Sequence, residues 1–371
     1  MKAAEYLPQF ITTIFSNLTQ KMEIHLTKTQ TVFTTGETIQ GELVLPRRYA
    51  PQYAYICIAL IGSTTTTVPI GTSFPNNGRT IDCTFLNIRH IETLEPWHHQ
   101  LVFSFSFVIP DALLFDSCSD HLPTGSGSTR QDHRQLPPSM DHHSDRFCPE
   151  MSSIIYHIRA EVDNGSERLH VSQRIHLLPL YPEQPPRLWT QAADHIAQMT
   201  DSTDLRMNRL GTKAGRITIR AKNIRPLYQP PGQHGSTLTP IRLHLDLDSL
   251  PPEPTFPPHC RVRVTLKAVT YFTTVPMTEL PRWENAVNEQ RQLFRTSVCS
   301  WKNKSVRLQW IESDLSPRAS LVIPIPVSCN VALLPTFYHC YVARAYFVKV
   351  EVVIGCSRKL RVKVPVRIYN S

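Results

Sequence analysis

The chain has 371 residues, more than one hydrophobic core usually supports, and a prior of about 100–200 residues per domain suggests two domains. Hydrophobic residues make up 41%, which excludes wholesale disorder, and 31 prolines against 13 glycines favour strands joined by proline-rich loops over long helices. The formal charge is +9, but lysine and arginine are spread along the sequence, so nucleic acid is not the expected partner; anionic lipid or acidic protein segments would use the same field.

At the N-terminus, residues 1–21 place Leu7, Phe10, Ile11, Ile14, Phe15 and Leu18 at helical spacing. A short amphipathic helix is expected there, packed on the first domain or lying on a membrane. No segment has the roughly 18 uninterrupted apolar residues of a membrane span, and Glu5, Pro8 and Gln9 break the first residues, so a soluble, non-secreted protein is expected. The nine cysteines are odd in number and form no Cys-x-x-Cys pair, which points to a reducing compartment. Thiols such as Cys57, within Ala54-Tyr55-Ile56-Cys57-Ile58-Ala59-Leu60, are read as small core hydrophobes.

From about residue 22 the apolar pattern has period two, the mark of strands with one buried face. Leu101, Phe103, Phe105, Phe107 and Ile109 alternate with Ser104, Ser106 and Val108 until Pro110. Tyr156, Ile158, Ala160 and Val162 lead through Asp163-Asn164-Gly165-Ser166 to Leu169, Val171, Ile175 and Leu177, a predicted hairpin. After Tyr181 a Pro-rich run and a polar stretch to about Arg209 predict a linker. Alternation resumes at Ile217, Ile219 and Ala221, at Leu243, Leu245 and Leu247, and at Val262, Val264 and Leu266. It ends in two strands, Tyr346 to Ile354 and Leu360 to Ile368. Two stretches rich in Ser, Gly, His and Pro, 116–150 and 225–259, interrupt the pattern, and loops of that length are usually functional or disordered.

Short strands with almost no helical periodicity predict an all-β protein of antiparallel sandwiches. The expected divisions are an N-terminal segment 1–21, a first sandwich 22–186, a linker 187–209 and a second sandwich 210–371. No phosphate-binding glycine loop, nucleophile elbow, zinc-protease helix or paired-cysteine motif occurs, so neither catalysis nor a cofactor is expected. His142-His143 with Asp145 and Cys148 is the best metal candidate, but adjacent histidines on an extended chain point apart, and no metal site is assigned.

Several motifs recur in a recognisable order. They are Ile24-His25-Leu26 with Gly36-Glu37-Thr38-Ile39-Gln40-Gly41, Phe105-Ser106-Phe107-Val108-Ile109-Pro110, Leu136-Pro137-Pro138-Ser139, and Tyr156-His157-Ile158-Arg159-Ala160. In the second half, Ile323-Pro324-Ile325-Pro326, Leu334-Pro335-Thr336-Phe337 and Val364-Pro365-Val366-Arg367-Ile368 follow. On these the chain resembles the arrestin-like proteins, in particular arrestin-related trafficking adaptors and arrestin-domain-containing proteins. The resemblance implies two tandem immunoglobulin-like sandwiches, without catalytic groups, that bind cytosolic tails of membrane proteins and promote ubiquitin-dependent endocytosis or endosomal sorting. It also implies a cytoplasmic protein recruited to the plasma membrane or endosomes. A coat-like subunit of a sorting complex is the alternative, and an enzyme on a β-sandwich a remote one.

Three candidate sites follow. The family recruits HECT-type ubiquitin ligases through Pro-Pro-x-Tyr, which is absent here, while Leu178, Pro179 and Tyr181 resemble a Leu-Pro-x-Tyr variant. Lys359, Arg361, Lys363 and Arg367 alternate on the last strand and form a candidate face for an anionic ligand or lipid. If cargo binds by strand addition, the resemblance points to an exposed edge at Gln40, Glu42 and Val44.

Overall fold

The structure, a computed structural model, describes residues 21–28, 32–45, 55–69, 78–93, 101–113, 134–163, 168–180, 199–206, 213–222, 225–229, 237–248, 256–277, 287, 290–311, 317–327, 333–357 and 359–370. All the regular elements among them are strands. The first eight are β1 (Glu23–Leu26), β2 (Val32–Phe33), β3 (Thr38–Val44), β4 (Tyr55–Pro69), β5 (Gly78–Thr93), β6 (Val102–Val108), β7 (Ser152–Asp163) and β8 (Arg168–Leu177). There follow β9 (Thr200–Arg206), β10 (Lys213–Ala221), β11 (Leu227–Tyr228), β12 (Thr237–Asp248), β13 (His259–Thr273) and β14 (Arg291–Arg307). The last are β15 (Gln309–Ile311), β16 (Arg318–Val327), β17 (Phe337–Tyr338), β18 (Val342–Ile354), β19 (Leu360–Val366) and β20 (Ile368–Tyr369). The all-β class read from the sequence is therefore observed.

Two compact units divide the chain discontinuously: unit 1 is Met1–Thr64, Asp82–Ser119 and Ile154–Leu178, and unit 2 is Thr65–Ile81, Asp120–Ser153 and Pro179–Ser371. The division falls inside β4. The N-terminal segment, with its expected helix, lies outside the described residues.

In unit 1, β1-β3-β6 form one sheet, and a second follows the order β2-β8-β7-β4-β5. The alternations read from the sequence become buried faces: Phe103, Phe105 and Phe107 on β6, and Tyr156, Ile158, Ala160 and Val162 on β7. The β7–β8 hairpin is antiparallel, from Tyr156 opposite Ile175 to Asp163 opposite Arg168. Two glycines permit close packing. A Cβ on Gly41 would lie 2.5 Å from the His25 carbonyl oxygen and 2.7 Å from the Phe105 ring, and one on Gly62 would meet Phe85 and Tyr156 at 2.7 and 2.8 Å. Those last two rings meet edge to face at 5.5 Å.

The candidate edge at Gln40, Glu42 and Val44 is corrected here. β3 is the central strand of its sheet, with Glu42 opposite both His25 of β1 and Ser104 of β6, and Val44 opposite both Glu23 and Val102. Its backbone groups are already used on both sides, so no peptide can add to it. The alternation that revealed the strand carries no information on how many neighbours it has.

In unit 2, one sheet runs β15-β16-β12-β10-β9 and the other β14-β13-β18-β17, with β19 also paired to β18. Ile217, Ile219, Leu243 and Leu245 of the first join Val262, Val264, Val348 and Val350 of the second in one core, as in two sheets packed face to face. β12 lies within the interrupting stretch 225–259, and its Leu243, Leu245 and Leu247 are buried. β9 lies within the stretch read as a linker; among the described strands it pairs with β10, at the margin of its sheet, and carries the polar sequence Thr-Asp-Ser-Thr-Asp-Leu-Arg.

The described part of the other interrupting stretch, residues 134–150, is a buried plug. Leu136, Met140, Phe147 and Cys148 are buried, as are Asp141 and Asp145. Asp141 Oδ1 accepts the His143 and Ser144 N–H groups, and Asp145 Oδ1 accepts that of Phe147, so both carboxylates close local turns. From β18, the fully buried Arg344 donates through Nη2 to Asp145 Oδ2 at 2.7 Å and to the Phe147 carbonyl at 3.2 Å. Its Nε donates to Thr270 Oγ1 at 2.9 Å. Burial alone would lower the pKa of Arg344, but Tyr346 and Asp145 outweigh it and hold the guanidinium charge firmly. Every partner in this network belongs to unit 2.

Candidate anion-binding face

The charge that looks dispersed along the sequence is concentrated by the sheet of β13, β14, β18 and β19. β13 carries three lysines and arginines, β14 five, and β18 and β19 two each, while Glu351 is the one acidic residue on any of the four. Arg344 is buried against the plug, but alternation explains how Arg263, Lys302, Lys349, Arg361 and Lys363 come to one side. Val262, Val264, Val348, Val350, Val362 and Val364 point into the core, so residues of the opposite parity point out.

Register then sets neighbours. Across the sheet, Lys302 lies opposite Arg263, Arg263 opposite Glu351, and Glu351 opposite Arg361. In the next row, Lys349 lies opposite Lys363. The Glu351 carboxylate is the hub: Lys349 Nζ is 2.9 Å from Oε1, Lys359 Nζ 3.2 Å and Arg263 Nη1 3.9 Å from Oε2, and Arg361 Nε 3.6 Å from Oε1. Burial opposes ionisation of Glu351, yet hydrogen bonds from Lys349 and Lys359, with their charges, hold its pKa below the ordinary 4.5. At the margin, Asp201 of β9 accepts the Arg361 backbone N–H at 2.7 Å.

On these four strands Glu351 is the one carboxylate among this group of cations. Like charges directly opposite on paired strands are destabilising, and this face places Arg263 against Lys302 and Lys349 against Lys363. Local rules broken in this way are found most often where a surface has a task. What such a face can do chemically is hold a multiply charged anion through several donors at once.

Lys359, Arg361 and Lys363, expected on this face from the sequence, are on it. Arg367 is not: its residue is 5% exposed, because β19 ends at Val366 and the chain turns inward to β20, whose Ile368 pairs in parallel with Leu227 of β11. Arg263, Lys302, Lys349 and Glu351 were missed. Their parity was visible in the sequence, but only strand order and register show that β13, β14, β18 and β19 are neighbours.

Leu178 donates its N–H to the Phe33 carbonyl at 2.8 Å, and Pro179 is buried. Tyr181 lies outside the described residues. Among the described residues no group of three or more His, Cys, Asp or Glu is placed to hold a metal ion, and no helix is long and apolar enough to cross a membrane. No protein-family model matches the chain, and no curated protein does.

Proposed function

We propose that this protein is an arrestin-like, non-enzymatic adaptor that binds acidic or phosphorylated cytosolic segments of membrane proteins and directs them into endocytosis or endosomal sorting. The observation that carries the reading is the basic sheet face around Glu351, where Arg263 faces Lys302 and Lys349 faces Lys363 across paired strands. The resemblance in motif order, the all-β architecture and the two units support tandem sandwiches as its scaffold. An extended acidic segment laid across β18 and β19 would meet Lys349 and Lys363, which face each other one strand spacing apart, about 4.8 Å, with Arg361 in the adjoining row.

This proposal draws on neither Leu178, whose N–H is bonded to the Phe33 carbonyl, nor Pro179, which is buried. Binding of a fluorescent, multiply phosphorylated peptide is the test. The proposal expects saturable binding that weakens with salt, and a loss of about tenfold or more in a Lys349→Glu/Arg361→Glu variant. Equal affinity for the wild type and that variant would overturn it. Binding to vesicles containing anionic lipid, with no binding to the peptide, would replace the protein segment by a membrane.

A further inference from the structure

β4 differs from the strands beside it. On β7, His157, Arg159 and Glu161 alternate with buried apolar residues, but β4 opens Tyr55-Ile56-Cys57-Ile58-Ala59-Leu60-Ile61, apolar on both faces. Ile56, Ile58 and Leu60 are each 1% exposed and belong to the core. The other face presents Tyr55, Cys57, Ala59 and Ile61. A strand apolar on both faces is normally one that is covered on both, yet an open groove of ≈ 630 Å³ stands over this face, within unit 1.

The dimensions of the groove select among occupants. β5 and β7 flank β4, and a helix with its side chains, about 10–12 Å across, resting on this face would cover a strip about two strand spacings wide, about 10 Å. From Tyr55 to Ile61 the floor runs about 20 Å, the length of about 13 helical residues. The small side chains of Cys57 and Ala59 sit between the larger Tyr55 and Ile61, leaving a depression for a bulky apolar knob. At the open rim Ile91 is 61% exposed.

Charge completes the description. On the β7 wall, Arg159 Nη2 is satisfied by Glu161 Oε1 at 2.7 Å. On the β5 wall, Arg89 donates through Nε to the neutral Asn87 Oδ1 at 3.2 Å, and among the described residues no carboxylate pairs with it. The groove therefore has an apolar floor and one guanidinium without a counter-ion.

We infer that this groove seats an amphipathic helix of a partner protein, its apolar stripe on Tyr55, Cys57, Ala59 and Ile61 and a flanking carboxylate on Arg89. The site is separate from the basic face of unit 2 and stands or falls independently of it. Helix-in-groove recognition places anchors at i, i+3, i+4 and i+7 on the floor and leaves the charged flank to choose orientation.

The test uses the full chain and two dye-labelled designed helices of about 14 residues, with leucine along one stripe and either glutamate or lysine flanking it. The glutamate helix is expected to bind the wild type. Arg89→Glu should weaken it about tenfold or more and transfer preference to the lysine helix. Ile91→Asp, at an exposed position, should weaken both helices. A photo-reactive leucine in the stripe should crosslink to residues 55–61 or 87–91. No saturable binding of the glutamate helix, binding indifferent to the charge at position 89, or crosslinks elsewhere would each overturn the inference. Unchanged thermal unfolding of the Arg89→Glu chain would separate lost binding from lost folding.

Discussion

Arg344 and Asp145 are, respectively, 0% and 7% exposed at their side chains and 2.7 Å apart. Removing either leaves the other charge buried without its partner. Asp145→Ala is therefore expected to cost about 3–5 kcal/mol, while an Arg344→Met/Asp145→Leu pair should cost much less than the single change, because no charge is then stranded. Urea unfolding of the three chains measures both. Nothing in the sequence joined these residues: Asp145 was weighed only as a metal ligand beside His142, His143 and Cys148, and its partner is 199 positions away. The thiols behave as their apolar settings suggest. Burial pushes Cys148 up to about 12 and Cys260 up to about 11, and Cys148 donates to the Ser152 carbonyl at 3.1 Å. Iodoacetamide at neutral pH should modify the exposed Cys356 while Cys148 and Cys260 react only after unfolding; mass spectrometry of the native chain reads this directly.

At the scale of elements, the strands were the most legible feature, because a buried face every second residue is written into the sequence. β6, β7, β10, β13 and β18 stand where alternation puts them. Pairing was not legible: β3 was expected at an edge and is central, and β9 was hidden in a polar stretch. The Gly36 to Gly41 motif now has a physical content. Gly36 takes φ 79°, where a side chain is strained, Glu37 Oε2 accepts the Thr34 N–H at 2.8 Å, and Gly41 leaves room for Phe105 and the His25 carbonyl. Gly41→Val should destabilise the chain by about 1–3 kcal/mol or more, since a backbone atom cannot yield as a side chain can. Glu351 predicts a pH dependence. Its folded-state pKa lies below 4.5, so its contribution is complete above that value and disappears as pH falls through the lowered one. Glu351→Gln should be less stable than the wild type near neutrality and should flatten the acid limb of its stability curve, as thermal melts across pH will show.

For the whole molecule, composition predicted a net positive charge but not its distribution, because Arg263, Lys302, Lys349, Arg361 and Lys363 are far apart in sequence and gathered only by the sheet. The units are likewise not continuous stretches. A fragment of residues 179–371 omits 65–81 and 120–153, which belong to unit 2. It would retain Arg344 and Thr270 but lose Asp145, Met140 and Phe147. Expressed alone, that fragment is expected to remain unfolded by circular dichroism, and adding a 134–153 peptide should recover part of its structure. The same separation governs biosynthesis. At about 5–20 residues per second, the ribosome delivers Arg344 about 10–40 s after Asp145, so the nascent plug waits with its carboxylates and apolar side chains open to solvent, a natural client for a chaperone until β18 emerges.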